Sequence, residues 1–340
     1  MGKPMNIHEL LLSGDLKVAA LPPANTQDLS ADFLTLPLIA EDYPARTASM
    51  WNAAYKAFDM RDRNVMVVAN PDQANHLLAV LRKDDQYRGG GAGVGFKEAV
   101  VPHLDEITPL ASAMGAVNIL KKDARGRLIG DNTDGLGYVQ SLEEALNQQG
   151  VAIEGSHVLM LGAGGTGRAI AFALGERGAQ VTILNRTPAR AEELAESVNA
   201  HFGKEVAIGS GRELIPDAIL VADAVVSVID DAHSPLDVYS TLGDMQLPIT
   251  PESIEANCKS AEAVLQYAKP SLVVSDIRIR SAETPMLTQA REHGFAVLDG
   301  IPMVINQGVA AFWWLYGEQL AKQDITQEDV ERIMRTAAGW

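Results

Sequence analysis

The chain has 340 residues, with 28 Lys and Arg against 44 Asp and Glu, a formal net charge of -16 and a pI near 4.8. That balance excludes a nucleic-acid surface and an anionic membrane as expected partners, because both demand a local excess of Lys and Arg. The single cysteine, Cys258, excludes an internal disulfide and a Cys-based zinc site, and the length predicts two domains, each able to bury its own core.

The first 30 residues, with Leu21-Pro22-Pro23-Ala24-Asn25, read as an irregular arm. No apolar core before a small-residue cleavage site stands near the N-terminus, position 6 is Asn6 where a myristoylation signal has Ser or Thr, and no uncharged apolar run reaches membrane-spanning length. A cytoplasmic protein is therefore expected. FLTLPLIA (33–40) reads as a strand, TASMWNAAYKAF (47–58) as a helix, NVMVVA (64–69) as a strand and PDQANHLLAVLRK (71–83) as a helix opened by Pro71. Strands alternating with helices predict parallel βαβ units and an open α/β sheet.

RGGGAGVGFKEAV (88–100) sets a glycine run in front of Lys97. The phosphate-cradling Walker pattern has Ser or Thr directly after Gly-Lys, whereas Phe96 precedes and Glu98 follows here, so spacing rules that cradle out. KEAVVPHLDEI continues with helical spacing, AVNIL and GRLIGDN read as short strands, and GLGYVQSLEEALNQQ is an amphipathic helix expected to bridge two domains.

A second unit opens at residues 157–186, HVLMLGAGGTGRAIAFALGERGAQVTILNR, in the order strand, glycine turn, helix, strand. Gly162-Ala163-Gly164-Gly165-Thr166-Gly167 follows an apolar strand and opens a helix, as a dinucleotide fingerprint requires. Gly162 permits the tight turn, Gly164 lets backbone approach a diphosphate, Gly167 lets helix pack on strand, and the helix N-terminus offers unpaired N–H groups. At the end of the next strand an NAD enzyme presents Asp or Glu to the ribose. This chain has Asn185-Arg186-Thr187, with Arg190 one turn on, a set suited to a 2′-phosphate, which predicts NADP. Strand signals recur at 224–229 and 271–277, the helix PMLTQAREHG precedes the strand FAVLDG, and MVINQGVAAFWWLYG and ITQEDVERIMRTAAGW read as two closing helices. The seven histidines show no ligand spacing, so no metal is expected, and no tyrosine has lysine four residues on, which excludes a short-chain dehydrogenase.

In these motifs the chain resembles the shikimate and quinate dehydrogenase family: GAGGTGRA, NRTxxR, GAVNIL with Asn118, DNTDGLG with Asp134, ETPMLTQAREHG and DGIPMVINQGVAAF with Gln307, within residues 33–320. The resemblance implies an α/β fold with an N-terminal open α/β substrate domain (1–134, completed by 301–340) and a Rossmann NADP-binding domain (135–300). The C-terminal helices would pack back on the first domain, and the active-site cleft would lie where the domains meet. It further implies that Lys97 is the catalytic lysine, acting with Asp134, and that Asn118 and Gln307 hold substrate hydroxyls. The chemistry suits these residues, because oxidation of an alcohol by hydride transfer requires removal of the hydroxyl proton and a desolvated lysine has a lowered pKa.

Several positions depart from the family pattern. The lysine's usual approach is Asn-Val-Thr-x-Pro-x-Lys, which puts Gly93 in place of the Thr and Gly95 in place of the Pro. The carboxylate-binding Ser-x-Ser-Pro segment corresponds to Ala45-Arg46-Thr47-Ala48, leaving Thr47 as a candidate contact, and Asp-x-x-Tyr has become Asp276-Ile277-Arg278-Ile279. The Asn-Ala-Thr segment beside the nicotinamide is Ser227-Val228-Ile229-Asp230. Hydrogen bonds to a carboxylate are worth about 1.5 to 3 kcal/mol each, so losing two or three weakens shikimate binding by roughly three orders of magnitude or more unless Arg46, Arg278 or Arg280 restores anion binding. The expected function is an NADP-dependent oxidoreductase that interconverts a secondary alcohol and a ketone on a small cyclic hydroxylated substrate, as a monomer or homodimer. A shikimate or quinate dehydrogenase proper and a non-catalytic NADP sensor are the alternatives.

Overall fold

The structure, a computed structural model, describes residues 5–20, 29–43, 46–230, 233–237, 242, 250, 252, 263–279 and 283–339. Residues 21–25, Ala45, Cys258 and Arg280 lie outside the described residues. The chain divides into two compact units, Met1–Thr133 with Ile305–Trp340, and Asp134–Val304.

The expected irregular arm contains regular structure. Helix α1 (Ile7–Ser13) starts with a capping box, in which the Asn6 side chain accepts from the Glu9 N–H and the Glu9 carboxylate accepts from the Asn6 N–H, and it ends at Gly14 with φ 83°. Strand β1 (Lys17–Val18) follows. The single strand expected over 33–40 is two, β2 (Phe33–Thr35) and β3 (Leu38–Ile39), which join different sheets on either side of Pro37. Proline has no N–H for a ladder, so the break falls there. After α2 (Thr47–Ala57), the expected strand 64–69 divides likewise into β4 (Asp62–Asn64) and β5 (Val67–Val68), and α3 (Ala74–Leu81) follows a 3-10 turn over Pro71–Gln73.

The glycine run is a strand, β6 (Tyr87–Gly91). Gly89 and Gly90 have φ +143° and +145°, and a Cβ on Gly90 would stand 2.5 Å from the Leu36 carbonyl carbon. Only glycine lets backbones approach this closely. Residues 97–107 depart from the expected helix: turns lead to a 3-10 helix over Val101–His103 and then β7 (Glu106–Ile107). Pro102 cannot donate back to residue 98, and the Lys97 carbonyl is taken by the Val117 N–H at 2.8 Å instead of by the next helical turn. Helix α4 (Pro109–Met114), β8 (Ile119–Lys122) and β9 (Leu128–Asp131) complete the segment. The main sheet has the order β4-β2-β6-β8-β9-β7, with β8 antiparallel to both neighbours, so it is mixed where strand–helix alternation predicts parallel pairing. A smaller sheet has the order β1-β5-β3. Leu34, Leu36, Leu77, Leu81, Tyr87, Phe96 and Leu120 belong to the core of this unit.

The second unit begins with α5 (Asp134–Gln148) and runs through β10 (His157–Leu161), α6 (Gly165–Glu176), β11 (Gln180–Leu184), α7 (Pro188–Phe202), β12 (Ala207–Ser210), α8 (Ile215–Val221), β13 (Ala224–Ser227), β14 (Val273–Asp276), α9 (Pro285–Glu292) and β15 (Ala296–Leu298). Its sheet is parallel throughout, ordered β12-β11-β10-β13-β14-β15, which is the 3-2-1-4-5-6 order of a Rossmann fold. Strands buried on both faces read as apolar runs, as VLML and AVVS do.

Helices α10 (Ile301–Ala321) and α11 (Gln327–Ala338) close the chain. From Ile305 onward they belong to the first unit. The Trp51 indole N–H donates to the Gly308 carbonyl at 3.1 Å, the Tyr55 hydroxyl donates to that of Tyr316 at 3.2 Å, and Phe312 lies 5.3 Å from both the Trp51 and Tyr55 rings. Arg46 donates to the carbonyls of Ala338 and Gly339 at the end of α11. The expected return of the closing helices to the first domain is thus made through α2, whose aromatic face they cover. Among the described residues no helix is long and apolar enough to cross a membrane.

Candidate active site

Lys97 follows Phe96, which is fully buried and anchors the glycine loop, and the lysine itself is half-buried. Its carbonyl is held by the Val117 N–H, so the lysine is tied to the residue that precedes Asn118. Asn118 enters β8 with both backbone groups used: its N–H donates to the Asp131 carbonyl at 3.0 Å and its carbonyl accepts from Ala92 at 2.8 Å. Its side-chain amide is equally constrained. The carbonyl oxygen accepts the Thr133 N–H at 2.9 Å, while Nδ2 donates to the Thr133 hydroxyl at 3.1 Å and reaches Gln307 Oε1 at 3.5 Å. The Thr133 hydroxyl donates in turn to the Gln307 backbone carbonyl at 3.2 Å.

Asn118 and Gln307, 189 positions apart, are thus brought together with Thr133 as the joint. Two neighbouring amides in a half-buried place offer donors and acceptors at a fixed spacing, which is the recognition chemistry of a vicinal diol. Sequence reasoning misses Thr133, although it sits inside the DNTDG motif between buried Asn132 and Asp134. A hydroxyl in the middle of that motif is the available signal. Asp134 follows Thr133 directly, is 8% exposed and is the first residue of α5. Thr47 is half-buried in the first turn of α2 and is not among the hydrogen-bond partners of Asn118 or Thr133 given above.

The loop before Lys97 is shaped by its glycines. Gly95 has φ +83°, outside the range open to proline, and a Cβ there would stand 2.7 Å from the Ala40 Cβ. A Cβ on Gly93 would meet Ile39 Cγ2 at 2.7 Å. Two arginines suited by type to bind a carboxylate have other duties. Arg46 closes the end of α11, and Arg278 is buried against Asp276, with Nε at 3.0 Å and an η nitrogen at 2.6 Å from its carboxylate oxygens. With side-chain exposures of 8% and 0%, this pair is held by mutual need, because either charge alone in that place would be costly.

In the second unit, Gly162 turns with φ +112°, and a Cβ on it would meet Val228 Cγ2 at 2.8 Å. A Cβ on Gly167 would lie 2.9 Å from the Gly162 carbonyl oxygen, so helix and strand meet at van der Waals distance. Gly164 and Gly165 are different. Both are exposed, and a Cβ on either would find no atom within 4 Å, so their freedom leaves room for a ligand instead of for protein. Ala163 and Thr166 flank them half-buried, and α6 starts at Gly165 with Gly164 as a cap that makes no side-chain hydrogen bond. Asn185 Nδ2 donates to the Thr187 carbonyl at 3.0 Å, and Arg186, Thr187 and Arg190 are exposed around it. Among the described residues neither Arg186 nor Arg190 has an ion-pair partner. An open backbone cradle at a helix N-terminus, with two uncommitted guanidinium groups at the next strand end, fits a dinucleotide carrying an additional phosphate. Among the described residues no group of three or more His, Cys, Asp or Glu is placed to hold a metal.

Residues 44–120 match the family model for the shikimate dehydrogenase substrate binding domain, and residues 143–234 match that for shikimate / quinate 5-dehydrogenase. The chain is 34% identical over 275 residues to the shikimate dehydrogenase (NADP(+)) of Symbiobacterium thermophilum, covering 80% of this chain and 84% of that one. Among solved structures it is similar to quinate dehydrogenase from Corynebacterium glutamicum in complex with NAD, with a TM-score of 0.69, 26% identity and coverage of 91% and 99%. It is also similar to the ligand-free 5-ketofructose reductase of a Gluconobacter species, with a TM-score of 0.67, 25% identity and coverage of 90% and 99%.

Proposed function

The chain belongs to the shikimate/quinate dehydrogenase family, and from that premise we propose that it is an NADP-dependent dehydrogenase interconverting a secondary alcohol and a ketone on a small cyclic hydroxylated substrate, in a pocket reshaped relative to shikimate dehydrogenase. The observation that carries the reshaped pocket is the lysine loop. Gly95 stands where the family motif has proline and adopts a φ that proline cannot reach. Of the three arginines expected as replacements for lost carboxylate contacts, Arg46 and Arg278 are engaged elsewhere, and Arg280 lies outside the described residues. The likeness to a protein named as a 5-ketofructose reductase supports a substrate range for this architecture that extends past shikimate and quinate.

NADP would be held by the turn at residues 162–167 and by Asn185, Arg186, Thr187 and Arg190, and when bound it supplies the hydride acceptor or donor at the nicotinamide ring. In the oxidative direction Lys97 takes the proton from the substrate hydroxyl as the carbinol hydrogen leaves as hydride. Asp134 orients the ammonium so formed, which releases its proton to solvent before the next turnover. Asn118 and Gln307, locked through Thr133, hold the neighbouring hydroxyls, so that the reacting carbon is presented in one orientation. In reduction the same lysine gives the proton back to the developing alkoxide.

Initial rates of NADP reduction with shikimate, quinate and a panel of cyclic polyols, run beside Lys97→Ala, test the proposal. The expected result is weak or no turnover of shikimate and quinate and a Lys97-dependent rate with another polyol. Ordinary efficiency with shikimate would overturn the reshaped pocket and leave the dehydrogenase itself standing.

A further inference from the structure

We propose that the first unit carries a second ligand site, for a small hydroxylated phosphate ester, in a cavity of about 510 Å³ walled by Phe33, Asp62, Arg88, Lys121, Lys122 and Gln319. None of Lys97, Asn118, Thr133 or Gln307 lines it. Its size falls in the range of small-molecule pockets. Its charge runs against the molecule's. In a chain of net charge -16, adjacent strands β6 and β8 turn three cations toward one volume.

Arg88 is the centre of the site. Its guanidinium lies 3.6 Å from the centroid of the Phe33 ring, and among the described residues it has no carboxylate at ion-pair distance. Stacking on the ring fixes the guanidinium plane while leaving its edge, where the N–H donors are, for another group. Lys122 donates to the Asp84 carbonyl at 2.6 Å, and Lys121 to the Trp314 carbonyl at 3.3 Å, so both ammonium groups are positioned by neutral backbone acceptors. Burial lowers the Lys122 pKa, and the charge of Arg88 acts in the same direction against the attraction of Asp85 and Asp84. A dianion placed between Arg88 and Lys122 relieves that repulsion, and three cations match a phosphate ester better than a lone carboxylate.

The same lining also offers partners for hydroxyls. The Asp62 Oδ1 accepts from the Tyr316 hydroxyl at 2.8 Å, which orients the carboxylate at the cavity edge, and Gln319 follows three residues on along α10. A carboxylate and an amide in the same lining as three cations suit a ligand that carries alcohols as well as a phosphate.

Titration calorimetry on the full chain saturated with NADP, so that the nucleotide cradle is filled, tests this with inorganic phosphate, a sugar monophosphate and the same sugar without phosphate. The sugar monophosphate is expected to bind more tightly than inorganic phosphate, and the bare sugar not to bind at millimolar concentration. Arg88→Gln and Lys122→Gln, each checked for an unchanged melting temperature, are each expected to weaken the sugar monophosphate roughly tenfold or more. Absence of binding at millimolar sugar monophosphate, or binding that both variants retain, would overturn the site. Should Arg88→Gln fail to fold, Lys122→Gln and Lys121→Gln carry the same comparison.

Discussion

Gly90 illustrates how a single missing side chain shapes the first unit: its φ of +145° and the 2.5 Å that would separate a Cβ from Leu36 leave no room for alanine. Gly90→Ala is expected to cost about 2 to 4 kcal/mol, from steric overlap and an unfavourable backbone conformation together, read as a lower urea midpoint. Gly95→Pro restores the family's residue to a position whose φ of +83° proline cannot take. It is expected to destabilise by about 3 kcal/mol or more, and unchanged stability would mean that the loop follows the family path after all. Lys97→Ala is expected to lower kcat by about 10² to 10⁴ with little change in NADP affinity, measured by initial rates and by nucleotide titration. Asp62 makes a prediction about pH. Burial raises its carboxyl above the ordinary range, against the hydrogen bond from Tyr316 and the charges of Arg88 and Arg61. A raised folded-state pKa means that the favourable contribution is complete below the unfolded-state value and is lost as pH rises through the folded-state value. Asp62→Asn, which keeps an acceptor for Tyr316, is therefore expected to raise the melting temperature near neutral pH, and the gain should shrink toward pH ~4. A gain that does not vary with pH would count against a buried, ionised Asp62.

At the scale of elements, the nucleotide cradle needs a turn, a helix start and a strand end to meet, and its four glycines divide that labour. Gly162 and Gly167 bring α6 against β10, while Gly164 and Gly165 leave space at the helix N-terminus. The strand end of β11 presents Arg186 and Arg190, to which the proposed function gives the choice of NADP over NAD. Arg186→Ala is expected to weaken NADP by roughly ten- to a hundredfold and to leave NAD nearly unchanged, since a charge-assisted hydrogen bond to the 2′-phosphate is worth about 1.5 to 3 kcal/mol. Equal loss for both nucleotides would move the arginine's role to the diphosphate. Helix α1 is set by its capping box, whose Asn-x-x-Glu spacing is a helix start written in the sequence itself. The proline-rich stretch that follows it masks that signal and makes the whole segment read as irregular. The glycine run of β6 carries no strand signal of its own. Glycine is poor in strands by propensity, and only the neighbouring backbones of Leu36 and Leu120 make it the residue that fits.

For the whole molecule, binding of NADP to the folded state alone is expected to add about 2.7 kcal/mol at a nucleotide concentration one hundred times Kd, visible as a rise in melting temperature that NAD reproduces only at higher concentration. Local composition and order determined a great deal. Apolar strands bounded by a glycine turn, an arginine pair in place of an acidic residue, and the motifs from Asn118 to Gln307 specified a Rossmann unit, its cofactor and the family, because each of those signals is carried by neighbours in the chain. The antiparallel setting of β8 and the turn that replaces a helix after Lys97 were decided by tertiary pairing, since each depends on a hydrogen-bond partner far away in sequence, whereas the break at Pro37 follows from proline's own missing N–H. The same holds for function. Which residue types suit the chemistry was legible from the motifs, but Thr133 as the joint between Asn118 and Gln307, the commitment of Arg46 and Arg278, and the gathering of Arg88, Lys121 and Lys122 around one cavity arise only when separate segments are folded together, because contacts across the fold and not neighbours in the chain set what each side chain is free to do.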